Sequence, residues 1–265
     1  MGTSIAAFDR AAPSYDRTFT DTRLGRELRS LVWERLAALF SSGDHVLELN
    51  CGTGEDACWL ASRGVRVTAT DGSKAMLALA ERKARERRSG ESILFRPLDL
   101  AAPHALATSG SFDGVLSNFG GINCVDELGP LAEALVRCVR PAAPVVFVAM
   151  GPLCLWELTA SLMRLDPGGA FQRLTKGEST ARVADVPVSV SYRWPKELAR
   201  SFEPGFRVER LSALGWALPP SLWSSALETR PRLLATMAGL ERSLRHFRPL
   251  AYLGDHYVLE LRRDS

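Results

Sequence analysis

Charge of one sign is what this sequence has least of. Its 33 lysines and arginines face 30 aspartates and glutamates, a formal net charge of +3 over 265 residues. Chains that track phosphates carry a clustered basic surplus, so no nucleic acid partner is expected. The most basic run, residues 81–88, mixes acids among its bases and reads as a solvated helix end. Long apolar runs are missing too. The longest, residues 144–156, is broken at Gly151 and Pro152 and falls short of the ~18–20 residues of a membrane span. No charged-then-apolar layout opens the chain, so the expectation is a cytoplasmic protein without integral membrane association. The five cysteines (Cys51, Cys58, Cys124, Cys138 and Cys154) are odd in number and never spaced as CxxC. That argues against a disulfide framework and a structural zinc site, and no metal is expected. Repeats and low-complexity segments are absent. A composition of 46% hydrophobic and 24% charged residues is that of an ordinary globular protein.

What is there is alternation. Apolar residues at 24, 28, 31, 32, 36 and 39 form a helical stripe. Residues 45–50 read as a strand, followed by a glycine-bearing turn and a helix over 55–63. Strand candidates at 65–71, 93–99, 112–119 and 144–149 alternate with helices at 74–88 and 128–140. Such alternation implies crossover connections, a parallel sheet and an α/β architecture. Two further strands are expected at 206–214 and 256–263. Between them lie two long insertions, one containing a hairpin-like pattern over 181–194 and one mostly helical. Insertions of this length usually carry function.

The most informative stretch is residues 46–56, VLELNCGTGED. An apolar strand delivers Glu48, glycines let a ligand approach the backbone, and a helix follows. The next strand ends in Asp71, about 17 residues after Gly54, where a carboxylate can accept the ribose hydroxyls of a nucleoside cofactor. A dinucleotide fingerprint requires GxGxxG with pyrophosphate on the helix N-terminus. Here Asn50 replaces the first glycine, the third is missing, and Glu55 and Asp56 open the helix. With Glu48 these acids suit a cation better than a pyrophosphate.

On these residues the chain resembles the class I S-adenosylmethionine-dependent methyltransferases. The likeness covers residues 8–150, with the last two strands added at the end. It implies a Rossmann-like, seven-stranded, mostly parallel sheet with helices on both faces, and lid insertions after the fifth strand and between the sixth and seventh. A single domain is expected over 1–265: a helical cap (1–42), a cofactor-binding core (43–150) and acceptor or lid insertions (151–201 and 217–249). The resemblance makes S-adenosyl-L-methionine the cofactor and S-adenosyl-L-homocysteine its product. Glu48, Cys51, Gly52 and Gly54 match the first motif, and Asn50 beside them is a further candidate cofactor contact. Asp71 would hold ribose, with Gly72 and Met76 beside the adenine, and Asp99 and Leu100 would meet its amino edge. Asn118 and Phe119 would stand at the tip of the fourth strand near the methyl donor, and Tyr15 would close over the methionine end.

Asn50 departs from the family's glycine, but asparagine tolerates positive φ better than most residues. The SNFGG at residues 117–121 is not the Asn/Asp-Pro-Pro-aromatic pattern of amino-group methylation, and no Pro-Cys dipeptide exists for cytosine chemistry. A small-molecule acceptor, hydrophobic or aromatic, is therefore the expected partner, of a monomer or homodimer. Tyr15, Asn123, Trp156, Trp194 and Trp223 are candidate acceptor contacts. His246, His256 and Tyr192 are candidate general bases. A base is not essential, because alignment of donor and acceptor can contribute ~7–11 kcal/mol. The chain could otherwise bind S-adenosylmethionine for a non-methylation reaction or regulation, or be an NAD-dependent oxidoreductase.

Overall fold

Each apolar stripe of the sequence becomes an element in the computed structural model, which describes residues 2–108, 111–166, 168, 171–174, 179–183 and 186–265. The chain opens with α1 (Gly2–Tyr15), a turn of π-helix (Asp16–Thr20) and α2 (Arg23–Leu39). The core follows as β1 (His45–Leu49), α3 (Glu55–Ser62), β2 (Arg66–Asp71), α4 (Lys74–Glu86), β3 (Ile93–Pro97), β4 (Gly114–Ser117), α5 (Gly129–Cys138) and β5 (Pro144–Met150). The first insertion holds α6 (Leu155–Met163), the strands β6 (Ser179–Val183) and β7 (Val186–Val190), and α7 (Pro195–Arg200). After β8 (Phe206–Leu214) come α8 (Ser224–Glu228), α9 (Pro231–Leu244) and β9 (His256–Arg263).

Seven strands form one sheet in the order β3-β2-β1-β4-β5-β9-β8, and β6-β7 form a separate pair. The pairings of β1, β2, β3, β4 and β5 are parallel, while β9 runs antiparallel to both β5 and β8. The chain builds outward from β1 to β3, then returns to place β4 on the other side of β1. That reversal opens a crevice at the carboxyl ends of β1 and β4, the place where open α/β sheets bind ligands.

Both faces of the sheet are covered, so its central strands are apolar throughout rather than alternating. Val46, Leu116, Val146 and Val148 pack with Leu24, Leu28, Leu31 and Leu36 of α2. Leu47, Leu49, Val115 and Phe147 face the opposite way, onto Leu131 and Leu135 of α5. Because side chains alternate along a strand, Glu48 shares the α2 face with Val46.

The expected hairpin is present, with Ser179 opposite Val190 and Val183 opposite Val186. Its turn at 184–185, and residues 175–178 before it, lie outside the described residues. Val188 and Val190 of β7 are buried against Ala7 of α1, so the first insertion meets the N-terminal helix. The second insertion behaves differently from the expected lid. Its Leu227, Leu234 and Ala238 pack with the α2 residues, covering one face of the sheet. Its anchor is the fully buried Glu241, which accepts the N–H groups of Gly215, Trp216, Ala217 and Leu218 at 2.9, 3.4, 2.7 and 3.1 Å.

Candidate functional site

The turn after β1 is a run of left-handed backbone: φ is 51° at Asn50, 54° at Gly52 and 76° at Gly54. Asparagine and glycine are the residues that visit this region at little cost, which explains their places. At Gly54 a Cβ would stand 2.8 Å from that of Ala80, so the glycine also lets α3 and α4 close together. Asn50 does more than tolerate its conformation. Its Oδ1 accepts from Ser117 Oγ at 2.6 Å and its Nδ2 donates to the Asn118 carbonyl at 2.9 Å, tying the β1 and β4 tips across the crevice.

Asp71 ends β2 and accepts from the backbone N–H groups of Gly52 and Ser73, both at 2.8 Å. Burial raises its carboxyl above the ordinary range against the pull of these donors. Each oxygen keeps further lone-pair capacity. Glu48 is 1% exposed and its Oε2 has no partner. Burial, with Asp56 nearby, pushes its carboxyl well above the usual carboxylate range, and Arg29 only partly offsets this. Arg23 pairs with Glu228 at 3.4 Å and not with Glu48.

Asp56 is the hub of the crevice. It accepts from Arg29 Nη1, from Trp33 Nε1 at 2.6 Å and from Asn118 Nδ2 at 2.9 Å. Arg29 is 6% exposed, lies 4.8 Å from the Phe119 ring centre and 5.8 Å from that of Phe19, and leaves Nε unpartnered. Tyr15, Phe19, Phe119 and His256 stand in a row of ring contacts at 5.9, 4.9 and 5.8 Å. Burial pushes the Tyr15 phenol up to about 12. The resulting crevice is lined by Tyr15, Asn50, Cys51, Gly52, Asn118 and Phe119, and also by Arg29, Thr53, Glu55 and Asp56. Cys51 is a buried thiol held well above its ordinary range by burial.

Glu55 and Asp56 were expected as free acids at the start of α3. Glu55 instead pairs with Lys83 at 3.0 Å and with both terminal nitrogens of Arg87 at 2.9 Å, and Asp56 pairs with Arg29. The acids left without a cationic partner are Glu48 and Asp71.

At the adenine end, Met76 is fully buried at the start of α4 and Leu100 packs on the core. Asp99 is exposed and accepts from Ala101 N–H at 2.9 Å. Ile5 of α1 reaches to 3.1 Å from where a Cβ of Gly72 would be, so α1 lies across this end. Its Asp9 also accepts from Ser73 Oγ at 2.6 Å and Ala75 N–H at 3.1 Å.

The candidate acceptor contacts divide. Trp156 and Trp223 meet edge to face at 5.3 Å, and Trp156 Nε1 is a buried donor without an acceptor. Trp194 pairs with Tyr252 instead. Asn123 is not available: its Nδ2 donates to the Met150 and Ser191 carbonyls, both at 3.0 Å, and its Oδ1 accepts from Met150 N–H at 2.9 Å. Both amide hydrogens are spent on backbone.

The candidate bases divide as well. His246 lies 3.3 Å from Ser212 Oγ with Arg245, Arg210 and Arg35 around it, away from the strand tips. Tyr192 lies under the Arg173 guanidinium at 5.0 Å, and burial raises its phenol. His256 alone touches the crevice, through Phe119.

Beside His256 is a cluster invisible in the sequence. Arg173 Nε donates to Glu157 at 2.8 Å, Nη1 to the Gly151 and Asp255 carbonyls at 3.3 Å each, and Nη2 to Glu157 and, at 2.7 Å, Asp255 Oδ1. Cys154, Glu157 and Asp255 have ligand-type atoms within 4.8 Å of one another, but the guanidinium already neutralises both carboxylates. Burial opposes ionisation of Asp255, yet His256 and Arg173 hold its carboxyl far below the usual range.

A family profile described as a methyltransferase domain matches residues 46–142. A demethylmenaquinone methyltransferase of Mycobacterium sp. (strain KMS) is 33% identical over 214 residues, 79% of this chain and 84% of that protein. A malonyl-[acyl-carrier protein] O-methyltransferase of Pectobacterium atrosepticum is 34% identical over 163 residues, 60% of this chain and 58% of that protein. The chain spans 57–58% of the length of three of the curated relatives it matches. Among solved structures, an S-adenosylmethionine-dependent methyltransferase from Mesorhizobium loti superposes with a TM-score of 0.55 at 18% identity, covering 87% of this chain and 97% of that one. It shares the fold.

Proposed function

The chain belongs to the class I S-adenosylmethionine-dependent methyltransferases, and on that premise we propose that it transfers a methyl group to a small, apolar, ring-bearing acceptor. The observation that carries this reading is a pair of unspent buried groups, one on β1 and one on α2. Glu48 Oε2 and Arg29 Nε are buried polar atoms without partners, and buried polar groups are normally satisfied. One is a carboxyl and the other a guanidinium cation, which complements the ammonium and carboxylate of an amino-acid end. The residues present therefore fit the cofactor.

Asp71 would hold the ribose hydroxyls, while Met76 and Leu100 would face the adenine. When bound, the cofactor supplies a methyl group on a positively charged sulfur. The chain's own part is alignment and exclusion of water. Arg29, fixed by Asp56 and by the Phe119 face, orients the amino-acid end. The row Tyr15–Phe19–Phe119 covers the crevice with apolar rings, which strengthens electrostatic interactions beneath it. Trp156 and Trp223 form an aromatic wall for the acceptor, with the free indole N–H of Trp156 as its polar contact. No helix among the described residues is long and apolar enough to cross a membrane, and the five unpaired cysteines support a reducing, cytoplasmic setting.

Calorimetric titration with S-adenosylhomocysteine tests the reading. Micromolar binding is expected, weakened at least 100-fold by Asp71→Ala, since a hydrogen bond to a charged group is worth ~1.5–3 kcal/mol and two are lost. Unchanged affinity in the variant would overturn the ribose assignment.

A further inference from the structure

We infer that His256 is the proton acceptor of the transfer, and that the first insertion assembles it through Arg173. The inference rests on the methyl-transfer reading and adds the acceptor's chemistry to it. His256 begins β9, which runs antiparallel to its neighbours β5 and β8, so its first residue lies at the same end as the β1 and β4 tips. Its ring meets Phe119 edge-on at 5.8 Å, and Phe119 lines the cofactor crevice. Its Nδ1 lies 3.1 Å from Asp255 Oδ2. The contact is within ion-pair reach but off the line of a straight hydrogen bond, as is common for catalytic contacts before the substrate is bound. Once that contact aligns, Asp255 on Nδ1 would fix the tautomer that leaves Nε2 as the proton acceptor.

Asp255 is positioned in turn. Its other oxygen, Oδ1, is held by Arg173, and all five donors of that guanidinium are engaged, on Glu157, Asp255 and two backbone carbonyls. Glu157 belongs to α6, Arg173 follows it, and Tyr192 beneath the guanidinium follows β7. All three come from the first insertion, whereas Asp255 and His256 come from the core sheet. The insertion and the base are therefore one assembly, with Arg173 as the positioning residue. The charged and titratable groups around His256 are Asp255, then Arg173, Glu157, Tyr192 and Cys154 behind it.

A base at this place selects the acceptor. A carboxylate is already ionised at neutral pH, whereas a phenolic hydroxyl, with a pKa of ~10, must lose its proton to become a strong nucleophile. The acceptor class is thus a phenol or hydroquinone rather than a carboxylate. In the step, His256 Nε2 takes the hydroxyl proton as the oxygen forms its bond to the methyl carbon. The methyl–sulfur bond breaks, its electron pair passes to sulfur and neutralises the sulfonium, and the imidazolium returns its proton to water.

The test follows the His256 imidazole by nitrogen-15 NMR on the full chain, with and without S-adenosylhomocysteine. The expected result is an Nδ1-protonated ring in the wild type, with that tautomer lost in Asp255→Asn and depleted in Arg173→Gln, and with partial recovery in Arg173→Lys. Its signals should move on adding S-adenosylhomocysteine. In the activity arm, 1,4-naphthalenediol is the acceptor probe and a malonyl thioester the carboxylate control. Turnover of the diol is expected, with kcat at least 100-fold lower in His256→Gln and affinity for S-adenosylhomocysteine within twofold. A His256 ring indifferent to Asp255→Asn, turnover of the carboxylate alone or of neither probe, or full activity in His256→Gln would overturn the inference. Failure of the wild-type chain to bind S-adenosylhomocysteine at all would instead overturn the methyl-transfer reading beneath it.

Discussion

Two arginines are buried in this molecule to nearly the same depth, Arg29 at 6% and Arg173 at 9% exposure, yet they are opposite kinds of residue. Arg173 has an acceptor for every donor and a ring against its face. It can take nothing more, so its work is to hold the first insertion and the core together. Arg29 has one carboxylate partner, Asp56, and an unpartnered Nε at the edge of a crevice. Capacity left over in a buried cation is a binding signal, whereas saturation is a structural one. Burial alone does not separate the two.

Breaking each arginine in turn sharpens the contrast. The largest effect belongs to Arg173→Met, which strands Asp255 and Glu157 in the interior. Removing one partner of a buried pair costs about 3–5 kcal/mol, to be read from urea unfolding, while S-adenosylhomocysteine affinity stays within twofold. A loss below ~1 kcal/mol would erase the distinction. Arg29→Lys keeps the charge beside Asp56 but removes the fork. It should weaken S-adenosylhomocysteine binding about tenfold, near the lower end for a charged hydrogen bond, and leave adenosine binding unchanged. Equal losses for both ligands would mean that Arg29 only supports the crevice.

A smaller, pH-dependent effect belongs to Glu48. Its carboxyl is raised in the folded chain by burial and by Asp56, so a cationic ligand must displace a proton to meet a carboxylate. S-adenosylmethionine affinity should rise with pH through that raised value and flatten in Glu48→Gln, with proton release measured by calorimetry in two buffers. The stability linkage has the matching sign. A raised folded pKa gives a contribution present below the unfolded value and lost as pH rises through the folded one. Glu48→Gln should therefore gain most over the wild type at high pH, and the opposite trend in melting temperature would contradict the assignment. The smallest effect serves as a control. Arg85 and Glu81 are exposed and 3.8 Å apart, and Arg85→Ala should change stability by less than ~0.5 kcal/mol.

How much of this was legible follows from how local each signal is. The β1 turn, Asp71 and the paired β8 and β9 strands are written in contiguous residues, because glycine at positive φ and alternation of apolar side chains are local constraints. Asn50 was readable in its backbone conformation, but its bridge to Ser117 and Asn118 was not, since β1 and β4 meet only in the sheet. Arg29 hides beside the apolar stripe of α2, where a charged residue reads as the solvent-facing side. Its neighbours Leu28 and Val32 were the available hint. Glu55 and Asp56 looked free because their partners Lys83, Arg87 and Arg29 lie on other helices. Asn123 looked like a ligand contact for the same reason, its three acceptor and donor partners being far away in sequence. Arg173 had no signal at all: it lies on a single 3₁₀ turn, Gln172–Leu174, and only the fold brings Glu157 and Asp255 to it.

The central claim is that the strand-tip crevice holds the amino-acid end of S-adenosylmethionine through the unspent buried groups of Arg29 and Glu48. The most direct measurement compares S-adenosylhomocysteine with adenosine by calorimetry, on the wild-type chain and on Arg29→Lys. Micromolar binding of S-adenosylhomocysteine, tighter than adenosine by a margin that shrinks in the variant, is the result expected. No binding of either ligand, or a margin the same in both proteins, would contradict it.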